Sequence, residues 1–116
     1  MNQLFQDIRQ AHEDIKFSVK RTQFVKSTTL SGLLSCQVFL KFENHQFTAS
    51  FKERGALNRI LKMSAEERAK GVIAASAGNH AQGLAYHANQ HGIRSVIVMP
   101  RIAPQVKVTH TRALGA

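Results

Sequence analysis

The sequence predicts an α/β fold in which a parallel sheet is flanked by helices. Short apolar runs typical of buried strands alternate with segments of helical periodicity, and the connections between them are short. The alternation is informative because consecutive parallel strands must be joined by a crossover, which is usually a helix. The 116 residues, of which 43% are hydrophobic, are enough to form the core of a small domain.

The first half of the chain contains two predicted helices and a strand. Apolar side chains recur at helical spacing over residues 4–15, which indicates an amphipathic helix. A strand is predicted over residues 37–43, QVFLKFE, and helical spacing returns over residues 56–63, ALNRILKM. Ser50 and Glu53 have the spacing of a capping box, so this second helix is expected to begin at Ser50.

The second half of the chain alternates more regularly. Ser64 and Glu67 have capping-box spacing and open a short helix that Gly71 ends. The remaining predicted elements, in chain order, are a strand in VIAAS, a helix in AQGLAYHANQHG ended by Gly92, a strand in SVIVMP, and a helix in PQVKVTHTRALG with Pro104 in its first turn.

The net charge of +9 raises the question of a nucleic-acid partner. The sixteen Lys and Arg residues are scattered without a five-residue basic run, and one tyrosine and no tryptophan are available to stack on bases. A basic nucleic-acid-binding domain is therefore disfavoured, and it remains an alternative that salt-dependent binding to DNA would reveal. No acidic residue follows Glu67, which favours an acidic partner surface.

Neither a membrane span nor a metal site is indicated. No apolar run approaches the roughly 18 residues that cross a bilayer, and the polar start, MNQLFQDIRQ, does not resemble a signal peptide, so a cytoplasmic protein is expected. Cys36 is the only cysteine, which excludes an internal disulfide and favours a buried, small apolar residue. His87 and His91 have helical spacing but lack a third ligand, so no metal is predicted.

The stretch TASFKERGA, residues 48–56, places a lysine at the predicted start of a helix. The positive end of the helix dipole disfavours a cation there, which favours the neutral form of the Lys52 amine. A neutral amine is a nucleophile that can form a Schiff base with a carbonyl compound. A solvated surface lysine is the simpler interpretation of this stretch alone, so both interpretations stay open at this point.

A second stretch, SAGNHAQG, residues 76–83, follows a predicted strand and runs into a helix. Ligands of parallel sheets gather at such junctions. Small residues let a ligand approach the backbone, and the free amides at the start of a helix bind a carboxylate or phosphate. The Ser76 hydroxyl and the Asn79 amide can add directional hydrogen bonds. A small-residue turn that serves packing alone is the alternative.

Taken together, these stretches resemble one enzyme family. The runs KFENHQFTASFKERGALNRI, GVIAASAGNHAQGLAYHA and VIVMPRIAPQVKVTHTRALGA have the order and spacing seen in the amino-terminal part of threonine dehydratases (threonine ammonia-lyases) and serine dehydratases, which are fold-type II pyridoxal-phosphate enzymes. The resemblance implies a tryptophan synthase β-like fold. It places residues 1–44 in the large domain and residues 45–116 in the small domain. The small domain then contains the stretch TASFKERGA, here called the lysine motif, and the stretch SAGNHAQG, here called the asparagine loop.

The resemblance also implies the roles of particular residues. Lys52 would hold pyridoxal 5′-phosphate as an internal aldimine and later remove the substrate's α-proton. Phe51 would pack near the cofactor ring, and Asn79 would hydrogen-bond the ring hydroxyl. The residues that would bind the amino-acid substrate are Ser76, Ala77, Gly78, Asn79 and His80. The implied reaction is the β-elimination of L-threonine or L-serine to a 2-oxo acid and ammonia.

Single residues separate the related activities of this family. Serine racemases tend to carry a second serine where this chain has Ala77, which favours dehydration over a serine racemase-like activity. Cysteine synthases usually carry a threonine where this chain has His80, which disfavours them as well. For His80 itself, a capping or packing role is the alternative to proton transfer.

The chain departs from the family pattern at several residues and in length. Gln23 follows Thr22 where the family usually has a proline, and Phe47 stands where an arginine is common. Ala49 replaces the glycine that usually precedes the serine of the lysine motif. Family members are much longer and often oligomeric, and the additional part holds the glycine-rich loop for the cofactor phosphate and the partner of the ring nitrogen. The isolated chain is therefore expected to bind the cofactor weakly and to be inactive. A non-catalytic remnant or interaction module of the same fold is the alternative.

Overall fold

A computed structural model of the chain describes residues 2–116 and confirms the α/β class. The helices are α1 (Gln3–Ile15), α2 (Thr28–Leu34), α3 (Lys52–Leu61), α4 (Ala65–Lys70), α5 (Asn79–Gln90) and α6 (Gln105–Ala113). The strands are β1 (Phe24–Lys26), β2 (Phe39–Lys41), β3 (Val72–Ala75) and β4 (Ser95–Val98), and a 3₁₀ turn covers Glu43–His45. Within the described residues, no helix is long and apolar enough to span a membrane.

The predicted parallel pairing is present between β3 and β4. Val72 lies opposite Ser95 at one end of this pair, and Ala75 lies opposite Val98 at the other. Helix α5 forms the crossover between the two strands, as parallel strands require. Both strands consequently end on the same side of the sheet, where the asparagine loop follows β3.

A second pair, between β1 and β2, is antiparallel and was not predicted. The pair is only three residues long, with Val25 opposite Leu40. Three residues show too little alternation to reveal β1 in the sequence, and the predicted strand over residues 37–43 is reduced to Phe39–Lys41. Helix α2 was missed for the same reason, because its seven residues cover fewer than two full turns of periodicity.

Helices α3 and α5 pack against each other and form the centre of the molecule. The main core cluster combines residues of both helices with the segments that follow them, and its members are Ala56, Ile60, Met63, Leu84, Ala88 and Ile93. On the other side of α3, Leu57 packs with Ile15 and Val19, which attaches α1. The two faces of α3 are thus both buried.

The predicted helix ends are confirmed in α4 and α5. The Ser64 Oγ accepts a hydrogen bond from the Glu67 amide at 3.1 Å, and the Glu67 carboxylate accepts one from the Ser64 amide at 2.8 Å. Gly71 ends α4 with φ +83°, and a Cβ at this position would lie 2.6 Å from the Arg94 carbonyl oxygen. Gly92, just beyond α5, also has a positive φ, which is a common conformation after a helix.

Three sequence expectations are wrong in detail. Helix α3 begins at Lys52 rather than Ser50, and no capping box forms there, because Glu53 turns toward the loop that precedes it. Pro104 precedes α6 as its N-cap residue instead of lying in the first turn. Cys36 is exposed rather than buried, because it lies just after α2, no residue of which is buried.

Candidate functional site

The lysine motif sits on a tight loop that leads directly into α3. The Ala49 amide donates to the Gln46 carbonyl at 3.1 Å, and Ala49 adopts φ +54°, in the left-handed region that favours glycine. The Ser50 Oγ then accepts a hydrogen bond from the Lys52 amide at 3.2 Å. This loop presents Lys52 at the surface, with its Nζ 5.3 Å from the centre of the Phe51 ring.

An ion pair fixes α3 to the turn before this loop. The Arg54 guanidinium donates to both carboxylate oxygens of Glu43, at 2.7 and 2.8 Å. Glu43 also accepts from the Thr22 hydroxyl at 2.6 Å and from the Gln46 amide. The hydrogen bonds from Arg54 are the main reason why the pKa of Glu43 falls to about 2, despite the opposing effect of burial. Glu43 is therefore ionised at neutral pH, and its hydrogen bonds connect the start of the loop, at Gln46, to Arg54 of α3.

A second carboxylate, Glu53, lies beside Lys52 on the buried side of the helix. It is fully buried and accepts hydrogen bonds from the Phe47 amide at 3.0 Å, the Thr48 amide at 3.3 Å and the Thr48 hydroxyl at 3.2 Å. Burial raises its pKa, while these hydrogen bonds oppose the rise. Its nearest titratable neighbour on α5 is His87, whose Nε2 lies 3.7 Å from the Glu53 carboxylate. Burial lowers the pKa of His87 to about 4.

The asparagine loop joins β3 to α5. The Ser76 amide donates to the Val98 carbonyl of β4 at 3.0 Å, and the Ser76 Oγ accepts from the Gly78 amide at 3.3 Å. A Cβ built at Gly78 would meet no heavy atom within 4 Å, so the backbone here is open to a ligand. No side chain among residues 2–116 caps the amino end of α5, where Asn79 and His80 are exposed. These features leave the first backbone amides of α5 free to bind an anion.

A groove of about 620 Å³ runs between α3 and β3. Among the predicted site residues, Phe51, Lys52 and His80 line this groove, whereas Ser76, Ala77, Gly78 and Asn79 do not. The other lining residues are Gly55, Ala56, Arg59, Met63, Glu67, Lys70, Gly71, Val72, Ile73 and Leu84. Lys52, Arg59 and Lys70 thus bring three positive charges to the groove. The groove has one carboxylate, Glu67, and it pairs with Arg59 at 2.8 Å. The groove is suited to an anionic ligand.

Helix α3, which begins with Lys52, and helix α5, which begins with Asn79, meet at Gly83. A Cβ at Gly83 of α5 would lie 3.0 Å from both the Cα and the amide nitrogen of Glu53, and 3.3 Å from the Lys52 carbonyl carbon. This close approach brings the second turn of α5 against the first turn of α3. The sequence showed Lys52 and the asparagine loop as separate motifs, and the packing at Gly83 is what joins them.

Four residues of this site were not identified from the sequence: Glu43, Arg54, Glu53 and His87. Glu43 and Arg54 are 11 residues apart with a turn between them, so no periodicity connects them. The Ser50–Glu53 spacing favours a helix cap, which conceals the buried role of Glu53. The spacing of His87 and His91 suggests only a metal ligand pair. A polar residue on the otherwise apolar face of α5 was the signal that marked it as a buried partner.

The chain is similar to known proteins over most of its length. The family model described as "Pyridoxal-phosphate dependent enzyme" matches residues 15–116, which is most of the chain. The chain belongs to this family of pyridoxal-phosphate dependent enzymes. The "L-threonine ammonia-lyase" of Thermotoga maritima is 52% identical over 111 residues, which are 96% of this chain and 28% of that relative. The chain therefore spans less than a third of this relative's length.

Solved structures of the family have the same local fold. The processed form of threonine deaminase isoform 2 from Solanum lycopersicum shares 38% identity and a TM-score of 0.79 over 94% of this chain and 31% of that protein. The serine racemase of Dictyostelium discoideum shares 37% identity and a TM-score of 0.90 over 96% of this chain and 36% of that protein. The family fold is thus reproduced here, and both a deaminase and a racemase are among the similar structures.

The residues present fit a pyridoxal-phosphate group. The exposed Lys52 amine, next to the Phe51 ring, lines a positively charged groove. The volume of this groove lies in the range of cofactor sites. The uncapped start of α5 and the open backbone at Gly78 offer amides to a phosphate or carboxylate. The family and the side chains therefore agree on the cofactor.

Proposed function

We propose that this chain supplies the lysine-bearing part of the site of a pyridoxal-phosphate dependent ammonia-lyase, which converts L-threonine or L-serine to a 2-oxo acid and ammonia. The observation that carries the proposal is the exposed Lys52 amine in a basic groove shared with Phe51 and His80, on a helix packed against α5. The names of the threonine ammonia-lyase and threonine deaminase relatives support the substrate class.

Each residue has a role in this proposal. Lys52 would bind the cofactor covalently through Nζ. Once the substrate's amino group has replaced it there, the freed Nζ amine would accept the substrate's α-proton. Phe51 packs beside the cofactor ring, and Asn79 hydrogen-bonds its hydroxyl group. The substrate carboxylate is bound by the loop residues Ser76, Ala77, Gly78, Asn79 and His80. The cofactor, when bound, supplies an electron sink for the electrons released with the α-proton.

The chain alone is proposed to hold half of a working site. Residues 1–44 are assigned to the large domain and residues 45–116 to the small domain. The chain spans 28% of the Thermotoga maritima relative, and the remaining cofactor contacts are proposed to lie in the rest of that length. The isolated chain consequently binds pyridoxal phosphate weakly and turns over little or no threonine. The complete enzyme is proposed to be a cytoplasmic homo-oligomer that acts on a small amino acid.

A titration with pyridoxal phosphate tests the proposal. The visible absorbance of a lysine adduct should appear in the wild-type chain and vanish in Lys52→Ala. Lys62→Ala is the matched control, because Lys62 is an exposed lysine at the far end of α3 and does not line the groove. An equal absorbance in Lys52→Ala would contradict the assigned role. No absorbance in a folded wild-type chain would favour a non-catalytic remnant or interaction module.

A racemase is the second candidate, because serine racemases are among the solved structures similar to this chain. Ala77 argues against it, since it has no side-chain group that transfers a proton. Long incubation with pyridoxal phosphate and L-serine separates the two activities, with D-serine and the 2-oxo acid quantified together. The ammonia-lyase proposal expects any product to be the 2-oxo acid, and an excess of D-serine would favour the racemase.

A further inference from the structure

The loop before Lys52 is tied back to the helix that follows it by a single buried carboxylate. Glu53 is 0% exposed, and its three hydrogen bonds all go to the loop, from the Phe47 amide, the Thr48 amide and the Thr48 hydroxyl. A buried carboxylate is costly unless such donors compensate it. Because Phe47 and Thr48 begin the loop and Glu53 directly follows Lys52, these bonds close the backbone around the lysine.

The same carboxylate faces α5. His87 is 1% exposed, and its Nε2, 3.7 Å from the Glu53 carboxylate, has no hydrogen-bond partner among the described residues. Gly83 lies one helical turn before His87 and provides the space for the Glu53 backbone. Glu53 therefore lies at the contact between the lysine helix and the helix that begins with the asparagine loop.

Aromatic contacts complete this connection. The Tyr86 ring stacks on Phe47 with 5.3 Å between ring centres. It lies nearly perpendicular to the His87 ring, with 4.9 Å between the two ring centres. Phe47 in turn donates its amide to Glu53. Glu53, Phe47, Tyr86 and His87 thus form a closed ring of contacts that joins the loop, α3 and α5. We call these four residues the Glu53 ring.

We propose that Glu53 is a positioning residue for Lys52, which rests on the proposed cofactor role of that lysine. Glu53 does not line the groove, so it acts through the backbone. Through the contacts of the Glu53 ring, Glu53 fixes the position of the Lys52 backbone relative to α5. The Lys52 backbone is thereby also fixed relative to the loop from Ser76 to His80. A residue that served stability alone would change the folded fraction but not the reactivity of Lys52 in the molecules that remain folded.

The test compares Glu53→Gln, Thr48→Val and Ile15→Val. Glu53→Gln keeps the side-chain size but replaces one accepting oxygen with a donor. Thr48→Val removes one donor to Glu53 and keeps the carboxylate, so it covers the case in which Glu53→Gln does not fold. Ile15→Val is the control, because it weakens the α1–α3 core without touching the Glu53 ring.

Two measurements are made on each chain, both corrected for the folded fraction. Amide hydrogen exchange at Phe47 and Thr48 should become about tenfold faster in Glu53→Gln, less so in Thr48→Val, and stay unchanged in Ile15→Val. The labelling of Lys52 relative to Lys62 is then mapped by mass spectrometry, once with formaldehyde and borohydride and once with pyridoxal phosphate and borohydride. The Lys52:Lys62 labelling ratio with each of the two reagents should change in Glu53→Gln and stay at the wild-type value in Ile15→Val.

The outcomes separate this inference from the proposed function. Wild-type exchange rates and wild-type Lys52:Lys62 ratios in folded Glu53→Gln and Thr48→Val would overturn the positioning role. If wild-type Lys52 took up formaldehyde but no pyridoxal phosphate, the proposed function would fail. The formaldehyde ratio and the amide exchange would still decide whether Glu53 positions the lysine.

Discussion

Replacing Glu43 by glutamine is expected to lower the free energy of unfolding at pH 7 by about 3 kcal/mol. Folding lowers the pKa of the Glu43 carboxyl from 4.5 to about 2, chiefly through the hydrogen bonds from Arg54. Because each pKa unit corresponds to about 1.4 kcal/mol, the ionised carboxylate stabilises the folded state by about 3 kcal/mol. The Glu43 and Arg54 side chains are only 15% and 26% exposed, so solvent screens this pair less than a surface pair.

The pH dependence has a defined sign. Since the folded pKa is below the unfolded value, the stabilisation is complete well above pH 4.5 and is lost as the pH falls toward 2. About 2 kcal/mol of it should be gone at pH 3. Urea unfolding of wild type and Glu43→Gln, followed by circular dichroism at pH 7 and pH 3, should therefore show a difference that narrows by this amount.

An exposed ion pair serves as the control for this experiment. Glu13 pairs with Lys16 on the surface of α1, so Glu13→Gln should change stability little at either pH. A Glu43→Gln chain as stable as wild type at pH 7 would show that the ionised Glu43 carboxylate does not stabilise the fold. A stability difference that is the same at both pH values would show that the effect does not come from ionisation of Glu43.

Three further predictions concern the helix contact, the loop and the buried histidine. Gly83→Ala should lower the free energy of unfolding by about 1–3 kcal/mol in urea, because the added Cβ would lie 3.0 Å from backbone atoms of Glu53; a more stable variant would mean that α5 does not approach α3 this closely. Ala49→Gly should stabilise the chain slightly, because relief of about 1–2 kcal/mol of left-handed strain exceeds the entropic cost of glycine, roughly 0.5–1 kcal/mol; a lower urea midpoint would contradict the positive φ. The His87 ring, followed by NMR, should titrate near pH 4, because burial lowers its pKa from 6.5; its contribution to stability is then complete above pH 6.5 and is lost as the pH falls through 4, and titration near pH 6.5 would exclude its burial.

The elements that the sequence predicted well are those with local signals. The capping box of α4, the glycine after it and the apolar runs of β3 and β4 depend on residues a few positions apart, and all are confirmed. The β1–β2 pair is short and depends on a contact between distant segments, so no local pattern revealed it. The predicted α/β class therefore came mainly from residues 64–116.

Part of the candidate site carries a local signal in the sequence, and the rest does not. Lys52 and the asparagine loop each carry a recognisable local pattern. By contrast, the partners of Glu53 are determined by the path of the loop, which the left-handed Ala49 helps to set. A capping-box spacing was present at Ser50 and Glu53, but the buried loop amides bind that carboxylate instead. Sequence spacing alone does not distinguish these two partners.

The proposed role of Lys52 is to hold pyridoxal phosphate. Its most direct test is borohydride reduction of the chain after incubation with pyridoxal phosphate, followed by peptide mapping of every lysine. The reduced cofactor should be found mainly on Lys52, and the label should be lost in Lys52→Ala without moving to a neighbouring lysine. A label spread evenly over the exposed lysines, or unchanged in Lys52→Ala, would contradict this role.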